Sequence, residues 1–434
     1  DSMAIAIDLL RYFGNGGAGE LRNLAAIEYL RSRPGLKGRE LDAFDDLSPI
    51  DVPDSPVTSV ASNDVNWPVP SRRVTEAHLA RLPRLSLFEL LPAIALAEKK
   101  ESTLLAARVG AVPKTGSYAI VAGRKASATG RPLLLGAPQM GWAVPSYVHP
   151  VRIEAPGVRV EGMDVPGVPT VLIGATPRFA WTLTSGVGDT DDIALVPGPT
   201  VREERSLRRG TESERVIYEA AGLAPVVLKN DRYGAFVARS SFACREGPAT
   251  TAIHTSYGLS DAGAIDRNVS KATLSFNYFY ATDREVGWRY VGLVDRRPKT
   301  EDPRFPRIGL GRSDPIPVSR MPHERTDGLL INWNNKPSPG WRNGDTPVWA
   351  GPFRVTRLRE ALGRFGGLRR DDLVAAAREI AMRDDTWSPR LFPEFAALPE
   401  LRGWDGTMTP GETVRPFFRS VLSETKRELF RPLL

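Results

Sequence analysis

Two short stretches hold residue types that could do chemistry. Thr182-Leu183-Thr184-Ser185-Gly186-Val187-Gly188-Asp189-Thr190-Asp191-Asp192 puts three carboxylates into four positions directly after a glycine turn. Oxygen donors that close together are what a hard cation such as Ca²⁺ collects. An Asp-rich solvated loop has the same composition. Asn332-Trp333-Asn334-Asn335-Lys336-Pro337 offers side-chain amides, which can donate hydrogen bonds to a developing oxyanion. An Asx turn ahead of a proline gives the same letters. Other chemistries lack their residues. There is no His-Glu-x-x-His and no Gly-x-Ser-x-Gly, and the 4 histidines, His78, His149, His254 and His323, lie near no Ser/Asp constellation in the chain. Ser423-Glu424-Thr425-Lys426 and Lys114-Thr115-Gly116 match the Ser-x-x-Lys and Lys-Thr-Gly signatures in reversed chain order and count as coincidence. The glycine run at 14–19 is followed by no Gly-Lys-Ser/Thr and reads as a turn.

The elements that must position these residues follow from periodicity. Met3 to Phe13 and Leu21 to Arg31 carry apolar residues at helical spacing. Pro34 to Arg84 is rich in Pro, Asp and Ser, which predicts an irregular, surface-running segment. Leu85 to Val109 reads as helix interrupted at Pro92. From Tyr118 short β-type runs take over: Tyr118–Val121, Pro132–Leu135, Val158–Val160, Val171–Ile173, Ala180–Thr184, Val226–Leu228, Ala235–Ala238, Thr251–His254 and Leu274–Tyr280. Helices return at Val355–Arg364, Arg370–Arg383 and about Pro416–Phe430. This is an α+β layout with antiparallel sheets rather than alternating βα units.

Composition narrows the classes. The chain has 434 residues, with apolar residues at 41% and charged residues at 25%, which excludes fibrous and acidic disordered proteins. Lys+Arg (58) exceed Asp+Glu (51) by +7, but the basic residues are scattered among acidic ones, so no nucleic-acid footprint is expected. The single cysteine, Cys244, can form no internal disulfide. No stretch reaches the ~20 apolar residues needed to span a bilayer, so no membrane partner is expected.

In combination these pieces resemble the penicillin acylase (penicillin amidase) family of N-terminal nucleophile hydrolases. The resemblance runs from Gly116-Ser117-Tyr118-Ala119-Ile120-Val121 through Ala137-Pro138-Gln139-Met140-Gly141-Trp142 and Pro145-Ser146-Tyr147. It continues at Trp181 to Asp189, Trp333-Asn334-Asn335 and Gly351-Pro352-Phe353-Arg354-Val355-Thr356. It implies a four-layer αββα sandwich with helical additions. Residues 1–33 would be the end of an α-subunit-like region, 34–116 a linker or spacer, and 117–434 the front and middle of a β-subunit-like catalytic region. The chain departs from the family at Tyr118, where Asn is usual.

The implied activity is hydrolysis of a linear N-acyl amide through an acyl-Ser117 intermediate. A free α-amino group has a pKa near 7.7–8 and can take the serine proton itself, so no histidine is required. That amine exists only after self-cleavage of the Gly116–Ser117 bond, which makes the intact chain a zymogen. The resemblance further implies that the Ser185 backbone N–H and the Asn334 amide form the oxyanion hole. Gln139 would border the Ser117 amine, and Arg354 would set the local electrostatics. A structural Ca²⁺ would be held by Glu20, Asp189, Asp192 and Asp345, with the carbonyls of Asp191 and Pro303; no organic cofactor is implied. Leu10, Phe13, Met140, Tyr147, Ile173 and Val187 would line an acyl pocket that is mostly aliphatic, as acyl-homoserine lactones or lipopeptides require. The partners would be a small-molecule amide and the protein's own α- and β-like pieces, associated after cleavage. A periplasmic or secreted location follows from family habit. An unprocessed, ligand-binding homologue is the reading from another class.

Overall fold

The structure is a computed structural model. It describes residues 19–430 apart from 53, 62–64, 98–115, 140–145, 210, 346–348, 350–351, 385, 388 and 390–391. The expected helix at Met3–Phe13 lies outside these residues.

The chain begins with α1 (Gly19–Arg31), α2 (Glu40–Leu47) and α3 (Arg72–Leu79), followed by α4 at residues 87–97. Ser71 caps α3 by accepting from Val74 N at 3.4 Å. α4 runs through Pro92 without a break. The segment expected to be irregular and surface-running is therefore largely folded where it is described. Phe44, Leu79, Leu82, Leu85 and Leu90 are buried with α1 against the six-stranded sheet described below. Their spacing is too sparse to show a period between the prolines and aspartates, yet each long apolar side chain finds the same core.

Strands follow. β1 (Ser117–Ala122) and β2 (Leu133–Pro138) form a hairpin, and β16 (Leu329–Asn332) joins the other edge of β1 to give a three-stranded antiparallel sheet. β3 (His149–Ala155), β4 (Val158–Asp164), β5 (Ile173–Ala175), β6 (Phe179–Ser185), β12 (Phe276–Thr282), β13 (Val286–Val291) and β15 (His323–Thr326) form a seven-stranded antiparallel sheet, in the order β15-β13-β12-β6-β5-β4-β3. A third sheet has six strands: β7 (Asp191–Val196), β8 (Val201–Arg209), β9 (Glu212–Ala221), β10 (Ala224–Asn230), β11 (Gly234–Ser240) and β14 (Arg307–Ile308).

Alternation along β1 sets the layers, because successive side chains point to opposite faces. Tyr118, Ile120 and Ala122 pack under α7 (Pro352–Gly363) and α8 (Arg370–Ala381). Ala119 and Val121 face the seven-stranded sheet, against Phe279 and Trp288. The far face of that sheet, with Trp181, Leu183 and Tyr278, is covered by α5 (Gly247–His254) and α6 (Ala262–Val269). The result is helix, sheet, sheet, helix. The two sheets close tightly at Gly136, where an added Cβ would lie 2.1 Å from Thr182 Oγ1, so only glycine fits there. A last helix, α10 (Val414–Phe430), follows the one-turn α9 (Pro393–Ala396) and packs Phe418 against Trp387 and Leu401.

One expected strand is a helix. Thr251–His254 is the end of α5, which starts at Gly247-Pro248 with proline in its first turn and buries Ala249, Ala252 and Ile253 at helical spacing. The four-residue window is too short to separate the two periods. Leu24 of α1 is 1% exposed in the cluster that joins α1 to β7 and β11. Leu24→Ala is expected to lower unfolding free energy by about 2–5 kcal/mol, read by urea titration of the purified chain.

Candidate active site and carboxylate cluster

Ser117 opens β1 on the face that looks at the seven-stranded sheet, in phase with Ala119 and Val121. Its Oγ donates to the carbonyl oxygen of Gly116 at 2.7 Å, which puts the hydroxyl against the peptide bond expected to break. Its N–H donates to Asn334 Oδ1 at 3.0 Å. The same Asn334 amide donates from Nδ2 to the Ser185 carbonyl at 3.2 Å, and Asn277 Nδ2 reaches that carbonyl at 3.0 Å. One side chain thus touches the start of β1 and the end of β6. Asn334 sits in the left-handed region at φ 60°, which Asn tolerates better than most residues, and its N–H donates to Asn332 Oδ1 at 2.9 Å.

Gln139 and Arg354 close the other side. Gln139 N donates to the Gly116 carbonyl at 2.7 Å. A Cβ added to Gly116 would lie 3.1 Å from Gln139 Oε1, 3.6 Å from Arg354 Nη1 and 3.9 Å from Asn334 Oδ1, so these side chains surround the residue before the serine. The structure therefore brings together all five expected catalytic residues, Ser117, Ser185, Gln139, Asn334 and Arg354. Trp333 links two of them: its Nε1 donates to Gln139 Oε1 at 2.9 Å, and the Arg354 guanidinium lies 5.8 Å from its ring centre. Tyr118, the departure from the family pattern, faces away from the inter-sheet side and packs on Trp333 at 5.3 Å.

Of the expected pocket residues, Leu10, Phe13 and Met140 lie outside the described residues. Tyr147 is buried and Ile173 half-buried in the core between the seven-stranded sheet and α5/α6, whereas Val187 packs on the inter-sheet core. Val187 has φ 47°, a strained value for a β-branched residue. An apolar cavity of about 20 Å³ lies in the core under α5 and α6, lined by Leu172, Leu183, Ile253, Phe276 and Tyr278. Phe276 pairs directly with Ser185 across β6 and β12.

A second constellation lies deeper. Glu20, Asp189 and Asp345 present carboxylate oxygens within 4.8 Å of one another. Gly19 N donates to Asp345 Oδ2 at 2.6 Å, and Ile193 N to Glu20 Oε1 at 3.1 Å. Arg297 contributes positive charge, with Nη2 at 2.7 Å from Asp189 Oδ2 and 3.7 Å from Glu20 Oε1. Glu20 Oε2 and Asp189 Oδ1 are buried and accept no hydrogen bond. Orphaned carboxylate oxygens in a cluster of three buried acidic residues, with one guanidinium beside them, fit a hard cation. Pro303 O is close enough to contribute, since it and Asp189 Oδ2 would both crowd a Cβ on Gly344, at 3.0 and 2.5 Å. Asp192, expected in the same cluster, is instead surrounded by cations: it pairs with Arg239 and Arg307, each at 2.9 Å, and with Arg297. Asp191, expected to offer its carbonyl, has its side chain turned to accept from Ser240 Oγ. Burial, then neighbouring Asp345 and Asp189, pushes the Glu20 carboxyl well above the usual range; burial and Asp345 raise Asp189 against the pull of Arg297. Burial also opposes ionisation of Asp192, but Arg297, Arg307 and Arg239 together hold it low.

A model of the family described as penicillin amidase matches residues 21–434. The chain belongs to the penicillin amidase family. This family member is 25% identical over 439 residues to the acyl-homoserine lactone acylase QuiP of Pseudomonas fluorescens strain Pf0-1, a match covering 86% of this chain and 52% of that protein. It is 39% identical over 70 residues to the acyl-homoserine lactone acylase PvdQ of Pseudomonas putida, covering 16% of this chain and 9% of that one. Its fold is that of the thermostable penicillin G acylase from Alcaligenes faecalis, at a TM-score of 0.65 and 22% identity over 73% of this chain and 65% of the other. The chain spans about half the length of the curated acylases it matches over most of its own.

Sequence reading missed Arg297, Asn277 and Trp333 as site residues. Trp333 stood inside a quoted motif, whereas Arg297 and Asn277 lie in stretches with no spacing to mark them. The raised carboxyls carry a pH dependence. A group whose folded pKa is raised stabilises fully below its unfolded pKa and loses that contribution as pH rises through the folded value. Metal-free protein is therefore expected to lose stability as pH climbs above the ordinary glutamate value of 4.5. Glu20→Gln should flatten that loss in thermal melts across pH.

Proposed function

We propose that this chain forms the catalytic part of an acylase that hydrolyses a linear N-acyl amide through Ser117, exposed by self-cleavage after Gly116. The observation that carries the reading is the Ser117 hydroxyl held at 2.7 Å on the Gly116 carbonyl while its nitrogen rests on Asn334. In the intact chain that nitrogen is an amide and cannot act as a base. Attack of Oγ on the Gly116 carbon moves the acyl group from nitrogen to oxygen, and water then hydrolyses the ester. The products are a Gly116 carboxylate and a free Ser117 amine. Gly116 leaves the attacked carbon uncrowded.

Turnover then needs only groups already present. The Ser117 amine, oriented by Asn334 Oδ1, takes the hydroxyl proton as Oγ attacks the substrate carbonyl. Asn334 Nδ2 has a second hydrogen beyond the one on Ser185 O. That hydrogen and the Ser185 N–H would meet the tetrahedral oxyanion. The ammonium returns its proton to the leaving amine, and water releases the acid by the same path. Arg354, near Gly116 and Trp333, adds positive charge that favours the neutral amine.

An aliphatic acyl group is the preferred substrate end. Of the expected pocket positions, Ile173 and Val187 carry aliphatic side chains, and the two Pseudomonas relatives named above are acyl-homoserine lactone acylases. For the carboxylate cluster, Glu20, Asp189, Asp345 and the Pro303 carbonyl are the residues to hold a calcium ion. Bound there, the ion would supply the charge that lets all three carboxylates stay ionised, and it would tie α1 to the β-rich part.

Purified protein is expected to mature into two pieces, the larger beginning Ser117-Tyr118-Ala119 by N-terminal sequencing, with Ser117→Ala left whole. The same two pieces from Ser117→Ala would assign the cut to a contaminating protease; no cut in either would favour a ligand-binding homologue. Asn334→Ala in matured protein should lower kcat about 10²–10³-fold, the usual loss for one oxyanion donor, measured on a chromogenic N-acyl amide.

A further inference from the structure

Asn334 is held from behind by a strap drawn from the segment that the sequence reads as linker. Residues 57–59 run alongside the loop that follows β16. Val57 and Lys336 form a parallel bridge, Thr58 N donates to Lys336 O at 2.9 Å, and Ser59 N donates to Pro337 O at 3.1 Å. Thr58 is buried. Its Oγ1 accepts from Asn332 Nδ2 at 2.8 Å and from Asn335 Nδ2 at 3.2 Å, and donates to Lys336 O at 3.4 Å. A hydroxyl has one hydrogen and two lone pairs, so its capacity is fully used.

Both asparagines it holds act on the neighbours of Asn334. Asn332 Oδ1 accepts from Asn334 N at 2.9 Å and from Thr184 Oγ1 at 2.6 Å. Thr184 immediately precedes Ser185. Asn335 Oδ1 accepts from Trp333 N at 2.9 Å. The two amides thus fix the backbone N–H groups of Trp333 and Asn334 at the entry to the left-handed turn, and Asn332 joins Asn334 to the Ser185 strand through Thr184. The strap is anchored at further points. Lys336, fully buried, pairs with Asp51 at 2.6 Å, and Arg342 pairs with the other Asp51 oxygen at 3.0 Å. Arg359 of α7 donates to Val57 O at 2.6 Å. Asn66 exchanges two hydrogen bonds with the Arg342 backbone, at 2.6 and 2.8 Å.

We propose that Thr58 is a positioning residue for the Asn334 turn, and that the described part of the strap, Asp51, residues 54–61 and residues 65–67, stays in the mature protein as part of its catalytic scaffold rather than leaving with an excised spacer. The role assigned to Asn334 rests on the function proposed above; the positioning of its turn does not. A buried amide that loses its only acceptor must turn to find another. Rotation of Asn332 would release Asn334 N and Thr184 together.

The test uses the full chain. Thr58→Val keeps shape and removes the hydroxyl. It is expected to lower kcat by up to about 100-fold, the effect of misplacing a group at a reacting centre, with KM for the chromogenic amide nearly unchanged. Thr58→Ser should restore kcat. Arg359→Met, at an exposed position, should shift kcat in the same direction by less. Hydrogen exchange at the Asn334 amide, measured in the uncut Ser117→Ala background, should accelerate in Thr58→Val and not in Thr58→Ser. This readout needs no turnover, so an inactive wild type would refute the proposed function and leave the positioning claim to be decided by exchange. Mass analysis of matured protein should find residues 51–67 still associated with the large piece. Wild-type exchange and kcat in Thr58→Val would overturn the positioning role, and a matured protein lacking that peptide would overturn the scaffold role.

Discussion

The structure depends on one carboxamide shared between two sheets. Asn334 touches the nitrogen at the head of β1 and the carbonyl at the end of β6, so its position is correct only when both sheets lie at the right separation. Gly136 opposite Thr182 lets the sheets approach closely beside the site. Ala119 and Val121 against Phe279 and Trp288 fill the space further along. The small residues near Ser117 and the large ones farther away are two parts of one requirement. A bulkier side chain near the serine would part the sheets and draw the amide away from one of its partners.

Electrostatics imposes a second requirement away from the chemistry. Glu20, Asp189, Asp192 and Asp345 are all buried, and like charges in a poorly polarisable interior repel strongly. Arg297, Arg239 and Arg307 offset part of this, chiefly at Asp192. Glu20 and Asp189 keep oxygens without a donor. The cluster joins α1, the loop before β7, and the loops near Pro303 and Asp345, segments that share no sheet. Local sequence carries little information about such a site, because each contributor is an ordinary acidic residue in its own neighbourhood.

This explains what was legible from sequence. The Asn332–Pro337 amides, the Asp189–Asp192 run and the strands around them were readable because their motifs are compact and the β period is two. Ser117, Glu20 and Asp345 were placed only through resemblance; Glu20 and Asp345 do converge on Asp189, although nothing in their spacing would have brought them together. The helix at Thr251–His254 was misread because four residues cannot show a helical period. Residues 34–84 were underrated because their apolar side chains are too far apart to form a pattern and meet only in three dimensions. Arg297 could not be found at all: its role comes from what surrounds it after folding, and arginine is abundant in this chain.

The cluster that buries α1 to α4 against β7, β10 and β11 spans chain on both sides of the Gly116–Ser117 bond. While that bond is whole, refolding is unimolecular and the two sides meet at a fixed effective concentration. With that bond cut as proposed, the same contacts would become a subunit interface, and reassembly would depend on how many partners are in solution. Folding and unfolding would then follow different paths, with marked hysteresis between heating and cooling. The durability of the mature form would be set by the barrier to separating its pieces, because dilution denies them an easy way back.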